Sequence, residues 1–281
     1  MLRALSAAAA VAVIATVGVA FAAGEAEHPH NYPYSFDSPF GGYDMAQVQR
    51  GFQVYNQVCS ACHAMDHLAY RHLGEEGGPF AAYYARDHET GEEKMQVGRP
   101  EHGGRFVDVV DNPWVRSIAE SHQITDTDPN SGQPVDRPGR ISDHFRRPFP
   151  NEIAARASNG GAYPPDLSVI VPGRHGGADY IRSLLTGYTG ETQGTLHGNR
   201  YFPGGMIAMP PPLAEGAVPY ADGTPTTTEQ YATDVAAFLA WAGDPHMEER
   251  KRTGFVVLFF LIALAGLMWL AYKQVWRNEA H

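Results

Sequence analysis

Residues 56–65 read NQVCSACHAM and hold both cysteines of the chain, Cys59 and Cys62, with His63 directly after the second. A Cys-x-x-Cys-His run is the attachment pattern of a c-type haem. Each part has a chemical reason. Two thiols add across the two vinyl groups of the porphyrin, two intervening residues in a helical turn set the thiols at the vinyl spacing, and the adjacent imidazole comes to lie under the iron. A structural zinc site draws on four Cys/His ligands, and there is no second cysteine pair. A thioredoxin-like redox motif sits in a βαβ context that this pattern lacks. A disulfide across two residues would close a tiny loop and make no use of His63.

The residues before the motif predict a helix. Asp44 is a good N-cap, and Met45, Val48, Phe52, Tyr55 and Cys59 follow at spacings of 3, 4, 3 and 4, one helical face. A sixth iron ligand is sought elsewhere. Among the eight methionines, Met1 belongs to an N-terminal apolar segment, Met268 to a C-terminal one, Met45 faces the first helix's core, and Met65 is too near His63 to reach the opposite haem face. In YFPGGMIAMPPPL (201–213) Met209 precedes three prolines, which fix φ and stiffen the loop. Met206 and a second histidine stay open as rivals at this point. A methionine would raise the redox potential relative to a histidine. His67 and His72 read as surface or packing residues, and His28 with His30 is a loose pair.

Two apolar segments frame the chain. In the first, Arg3 precedes an alanine-rich run over 5–19, and Ala20-Phe21-Ala22 has the small-residue form of a signal-peptidase site. A secretory signal over 1–22 is expected. The second, 253–272, has 20 residues and no charge. At about 1.5 Å per residue it spans roughly 30 Å, one hydrocarbon core. Trp269 and Tyr272 sit near one end, where amphipathic rings favour the interface. Flanking basic residues leave the orientation ambiguous. An export signal resolves it: the body (23–252) lies on the outer, periplasmic side of a bacterial inner membrane, and 273–281 stays in the cytoplasm.

Between these segments, residues 24–249 carry 15 Lys+Arg against 30 Asp+Glu. Such a balance excludes a nucleic-acid partner, whose phosphates demand a basic face, and suits a basic protein steered by long-range attraction. Residues 74–136 alone hold 13 acidic and 5 basic residues and read as an irregular insertion, with short helices around 81–86 and 114–120. Residues 137–175 are turn-rich, a short helix ends at Gly187 and 188–227 is mostly loop. A second helix starts with a capping box of Thr226 and Glu229, buries Tyr231, Val235, Phe238, Leu239 and Ala242, and stops at Gly243 and Pro245. No alternating pattern is long enough to build a sheet, and no Ser/His/Asp order, phosphate loop or paired carboxylate stands out.

Several separate stretches resemble the cytochrome c1 family, the haem subunits of cytochrome bc1 complexes. They are RGFQVYNQVCSACHAMDHLAYRHL (50–73), GRISDHFRRPFPNEIAARASNGGAYPPDLS (139–168), RHGGADYIRSLLTGY (174–188), YFPGGMIAMPPPL (201–213) and the helix with anchor from 229 to 273. The resemblance implies a mainly α, class I cytochrome c-like haem domain with long loops and one C-terminal transmembrane helix. It implies one covalent haem c, with thioethers at Cys59 and Cys62 and axial ligands His63 and Met209. Arg174 corresponds to an arginine that meets a haem propionate. Tyr180, Asn159, Pro164 and Pro165 match pocket positions. The implied partners are cytochrome b, the Rieske iron–sulfur protein that delivers the electron, a soluble or anchored cytochrome c that receives it, and membrane lipid, in a dimeric complex whose quinol chemistry lies on other subunits. A freestanding membrane-anchored electron shuttle is the alternative. Residues 74–136 match no fixed family motif, and no cysteines remain for the extra disulfide of some bacterial members.

Overall fold

The structure, a computed structural model, describes residues 26–87, 90–100 and 104–278. The expected signal segment over 1–22 lies outside the described residues. Among the described residues, regular structure is mostly helical: α1 (Met45–Gln57), α2 (Pro113–Glu120), α3 (Glu152–Ser158), α4 (Gly177–Thr186), α5 (Thr228–Gly243) and α6 (Met247–Val275). Three small antiparallel sheets accompany them. The first has strand order β2-β1-β3 (Glu93–Val97, Ala82–Arg86, Arg105–Phe106), the second pairs β4 (Gln123–Thr127) with β5 (Pro134–Pro138), and the third runs β6-β7-β8 (Tyr188–Gln193, Leu196–Asn199, Met206–Ile207).

Two compact units divide the chain. Of the described residues, one unit comprises 26–32, 50–68 and 144–240, and the other those within 33–49, 69–143 and 241–278. The first unit is built around aromatic rings. Phe52 packs edge-on to Phe145 and Phe238 at centroid distances of 6.1 and 5.6 Å, and Tyr55 tilts against the same two rings at 6.0 and 5.6 Å. These contacts explain why the 3–4 spaced face of α1 is buried: it supplies two of the four rings. The five expected core residues of α5 are buried, and so is every residue from 231 to 242. That all-round burial takes in polar Thr233 and Asp234 together with the apolar residues.

Local signals account for the helix ends. The Asp44 carboxylate accepts from the N–H groups of Ala46 and Gln47 at 3.0 and 3.3 Å, capping α1 as expected. Thr227, not Thr226, caps α5, its hydroxyl accepting from Gln230 N at 3.2 Å. Consecutive threonines at 226–228 hide that register in the sequence. Gly187 does end α4, with an ordinary φ of −89°. Its lack of a side chain matters for space, because a Cβ there would lie 2.4 Å from the Tyr201 ring.

In the second unit Asn112 caps α2, accepting from Trp114 N and Val115 N, and donates Nδ2 to Phe80 O at 2.8 Å. The helix expected at 114–120 is present, but 81–86 is strand β1, pairing Tyr83 with Gln96 and Tyr84 with Met95. Two adjacent tyrosines favour a pleated surface, and the partner strand follows a turn in which Gly91 N donates to Asp87 O at 2.9 Å. The loop expected at 188–227 likewise contains the third sheet.

The last helix, α6, has 29 residues and mean hydropathy 2.5 over its most apolar window, none of which is buried within the molecule. It is long and apolar enough to cross a membrane, and it begins two turns before the apolar run, so that Arg250, Lys251 and Arg252 are helical.

Candidate haem site

α1 delivers the Cys-x-x-Cys-His run. Its last turn tightens into a short 3-10 turn, Cys59–Ala61, in which Cys59 O accepts from both Cys62 N (3.1 Å) and His63 N (2.9 Å). That double acceptance wraps the motif into one compact turn. Ser60 Oγ donates to Asn56 O at 2.7 Å and Tyr55 Oη to His63 O at 3.3 Å, tying the turn back to the helix. Both cysteines are free thiols, Cys59 half-buried and Cys62 exposed. Burial, reinforced by Cys62, pushes the Cys59 thiol up to about 12, so it is held protonated.

The orientation of His63 is set from far along the chain. Its Nδ1 lies 2.8 Å from Pro165 O. A carbonyl oxygen only accepts, so Nδ1 carries the proton and the Nε2 lone pair is left for a metal. Burial holds the imidazole below its ordinary pKa, against the raising influence of the Pro165 carbonyl and the Asp166 charge. It is therefore neutral, the form that ligates.

Residues 63–68 and 165–168 are stitched together throughout. Leu167 N donates to Ala64 O (2.9 Å), Asp66 N to Asp166 Oδ2 (2.8 Å) and His67 N to the fully buried Ser168 Oγ (3.1 Å). Asp166 Oδ1 also accepts from Ser168 N at 2.8 Å. Asp166 and Ser168 were not among the expected site residues. Their signal was present, since a carboxylate and a hydroxyl directly follow the Pro-Pro pair, but nothing local says which backbone they bind.

A cavity of about 100 Å³ opens beside the motif, lined among others by Cys62, Asp66, Arg147, Tyr163 and Pro164. Arg147 Nε bonds Asp66 Oδ1 at 2.7 Å on its wall. The structure thus brings Pro164 and Pro165 to Cys62 and His63. Asn159 ends α3, its Nδ2 donating to Ala155 O at 2.7 Å. Arg174 is exposed, and its charge acts on half-buried Tyr180, whose hydroxyl burial keeps protonated above its usual range.

Met209 is positioned by the third sheet. β8 pairs Gly198 with Met206 and His197 with Ile207, so Met206 is a strand residue and Met209 follows just beyond the sheet. Tyr188, at the start of β6, donates its hydroxyl to Met209 O at 3.1 Å, with Pro210 O at 3.4 Å. Burial raises the pKa of that hydroxyl, which remains a donor. Buried Asn199 braces the sheet, donating to Leu184 O at 2.8 Å and accepting from Tyr201 N at 3.0 Å. Tyr188 and Asn199 also escaped sequence reasoning.

The donor set fits a c-type haem: two unpaired thiols one turn apart, and a neutral imidazole with a free Nε2. This arrangement defines the class, that of haem-bearing proteins. Comparison with known proteins gives the family. The model of the cytochrome C1 family matches residues 34–279, and the chain belongs to that family. It is 38% identical over 278 residues to "Cytochrome b/c1" of Bradyrhizobium diazoefficiens, covering 90% of this chain and 36% of that longer protein. It is 41% identical over 261 residues to "Cytochrome c1-2, heme protein, mitochondrial" of Solanum tuberosum, covering 90% and 88%. It is 41% identical over 244 residues to "Cytochrome b-c1 complex catalytic subunit, mitochondrial" of Candida albicans, covering 84% and 73%.

Proposed function

We propose that this chain is the electron-transfer subunit of a cytochrome bc1 complex, taking one electron at a time from a Rieske iron–sulfur protein and handing it to a cytochrome c. The observation that carries the reading is the Cys59-x-x-Cys62-His63 turn, with His63 Nδ1 committed to Pro165 O, in a member of the cytochrome C1 family. Cys59 and Cys62 would hold one haem c by thioethers, His63 and Met209 would ligate its iron, and Arg174 would meet a propionate. The group supplies a one-electron iron couple. The chain's own work is geometric and electrostatic. Pro165 holds the imidazole in its ligating tautomer, Asp166 and Ser168 tie the Pro165 segment to the motif, Tyr188 holds the Met209 loop, and α6 anchors the body in the membrane.

We place the body on the periplasmic side of a bacterial inner membrane, on a single span, with cytochrome b as the neighbour within the membrane. Quinol oxidation lies on other chains. The name of the Bradyrhizobium relative joins cytochrome b with c1, which favours a complex over a freestanding shuttle.

A reduced-minus-oxidised spectrum of the chain, purified from its own membranes in mild detergent, tests this. Co-purifying b-type bands and quinol-to-cytochrome c activity are expected. A c-type band alone, under the gentlest solubilisation, would return the shuttle.

A further inference from the structure

We infer that the loop over residues 36–42 is a second membrane contact, with Phe40 seated in the acyl region of the bilayer beside α6. Four observations carry this. Phe40 is 85% exposed, a large aromatic side chain at the tip of a loop. Its ring stacks on Phe255 at 4.5 Å between centroids with planes 11° apart. Phe255 lies inside the uncharged run of α6, four residues past Lys251 and therefore about 6 Å further along the axis. The depth of Phe40 is thus that of Phe255 and its neighbour Val256, which is 65% exposed, and the uncharged helix runs on to Phe259, 70% exposed, one turn deeper.

The loop's own backbone is prepared for that setting. Lys251 Nζ donates to the carbonyls of Phe36 (2.7 Å), Ser38 (2.8 Å) and Gly41 (3.2 Å), and Gly41 N donates to Ser38 O at 3.0 Å. Unpaired carbonyls would resist leaving water, and these are paired. The ammonium marks the polar level, and Phe40 projects one turn beyond it. At the other end of the loop Glu248 accepts from Tyr43 N at 2.8 Å and is clasped by Arg99 through both of its terminal nitrogens at 2.6 and 2.9 Å. The loop is therefore latched to the root of α6 at two levels. An aromatic side chain in the acyl boundary gains by leaving water, as in interfacial anchors. Lipid is the occupant because the stack continues the exposed, uncharged surface of α6. The inference rests on α6 being a membrane span.

A spin label at Phe40→Cys tests it in the haem-loaded chain within its complex, reconstituted in phosphatidylcholine bilayers. Cys59 and Cys62 are engaged by haem in the proposed function, leaving the introduced thiol to react. Labels at Leu261→Cys and Asn130→Cys serve as hydrocarbon and water references. The expected result is an oxygen-to-nickel-chelate collision ratio at position 40 close to that at 261 and well above that at 130. A ratio equal to that at 130 would overturn the proposal. So would a label shielded from both reagents, which would mean that a protein subunit covers the loop. If the label at 261 itself behaves as water-exposed, the span reading falls and takes this inference with it.

Discussion

A methyl group at position 51 has nowhere to go. A Cβ there would lie 2.0 Å from Asp234 O and 2.7 Å from Phe238 Cβ, so α1 and α5 cross at backbone distance. Alanine in place of Gly51 gains up to ~1 kcal/mol of helix propensity but forces the crossing apart, an overpacking cost of about 1–3 kcal/mol. Because the clash is with backbone, the cost prevails: Gly51→Ala is expected to lower the melting temperature, measured calorimetrically on the haem-loaded protein. Tyr188 makes a different kind of contribution. Tyr188→Phe deletes the donor to Met209 O, about 1 kcal/mol, and frees the loop carrying the proposed ligand. The expected outcome is weakened thioether–iron absorption and a lower midpoint potential with the haem still covalently bound; an unchanged spectrum and potential would dissociate Tyr188 from the ligand loop. Neither residue was legible in the sequence. Gly51 reads as one more glycine and Tyr188 as one more loop aromatic, since each acts on a segment more than twenty residues away.

Between elements, α1 and α5 are joined by a buried ion pair. Arg50 Nε meets Asp234 Oδ2 at 3.0 Å, with the carboxylate fully buried and also bonded by Gln230 Nε2 at 2.8 Å. Removing the carboxylate leaves the guanidinium, whose side chain is only 17% exposed, with the half-exposed Asp222 Oδ2 at 2.8 Å as its remaining carboxylate partner. Asp234→Ala is therefore expected to cost about 3 kcal/mol, the lower end for a broken buried pair, read from denaturant unfolding. The β4–β5 hairpin responds to acid instead. Asp143 is held below the usual carboxylate range by hydrogen bonds from Arg137, whose terminal nitrogens lie 2.6 and 3.0 Å from its oxygens. A depressed folded pKa contributes stability that is present above the unfolded carboxylate value of about 3.9 and is lost as pH falls through the folded value. Amide exchange over 123–138 should accelerate in that acid window, and Asp143→Asn should weaken the transition by removing its share at all pH values, leaving the part that Asp126 carries through the same Arg137. Helices were readable at this scale because each buries a face or carries a cap. Strands β4 and β5 were not, because exposure on both faces leaves no alternation to see.

For the molecule as a whole, the acidic balance of residues 24–249 makes a kinetic prediction. Electron transfer to a basic cytochrome c should slow as salt rises, since screening shortens the reach of the surface field to about 10 Å at 0.1 M. A rate independent of ionic strength would remove the docking role from the acidic surface. Much of the protein's character was legible at this largest scale and at the smallest. A thiol–thiol–imidazole turn, a charge-free run of 20 residues and a capped helix are local in the chain, and short-range chemistry writes them in adjacent letters. Sequence by itself thus determined the thiol–thiol–imidazole turn, the apolar span and the leading helix. Only the tertiary structure decided that Pro165, 102 residues from His63, sets its tautomer, that Asp234 balances Arg50, and that Lys251 gathers three carbonyls 210 or more residues back. These contacts join segments distant along the chain through one to three hydrogen bonds each, which impose no period and no composition on either partner.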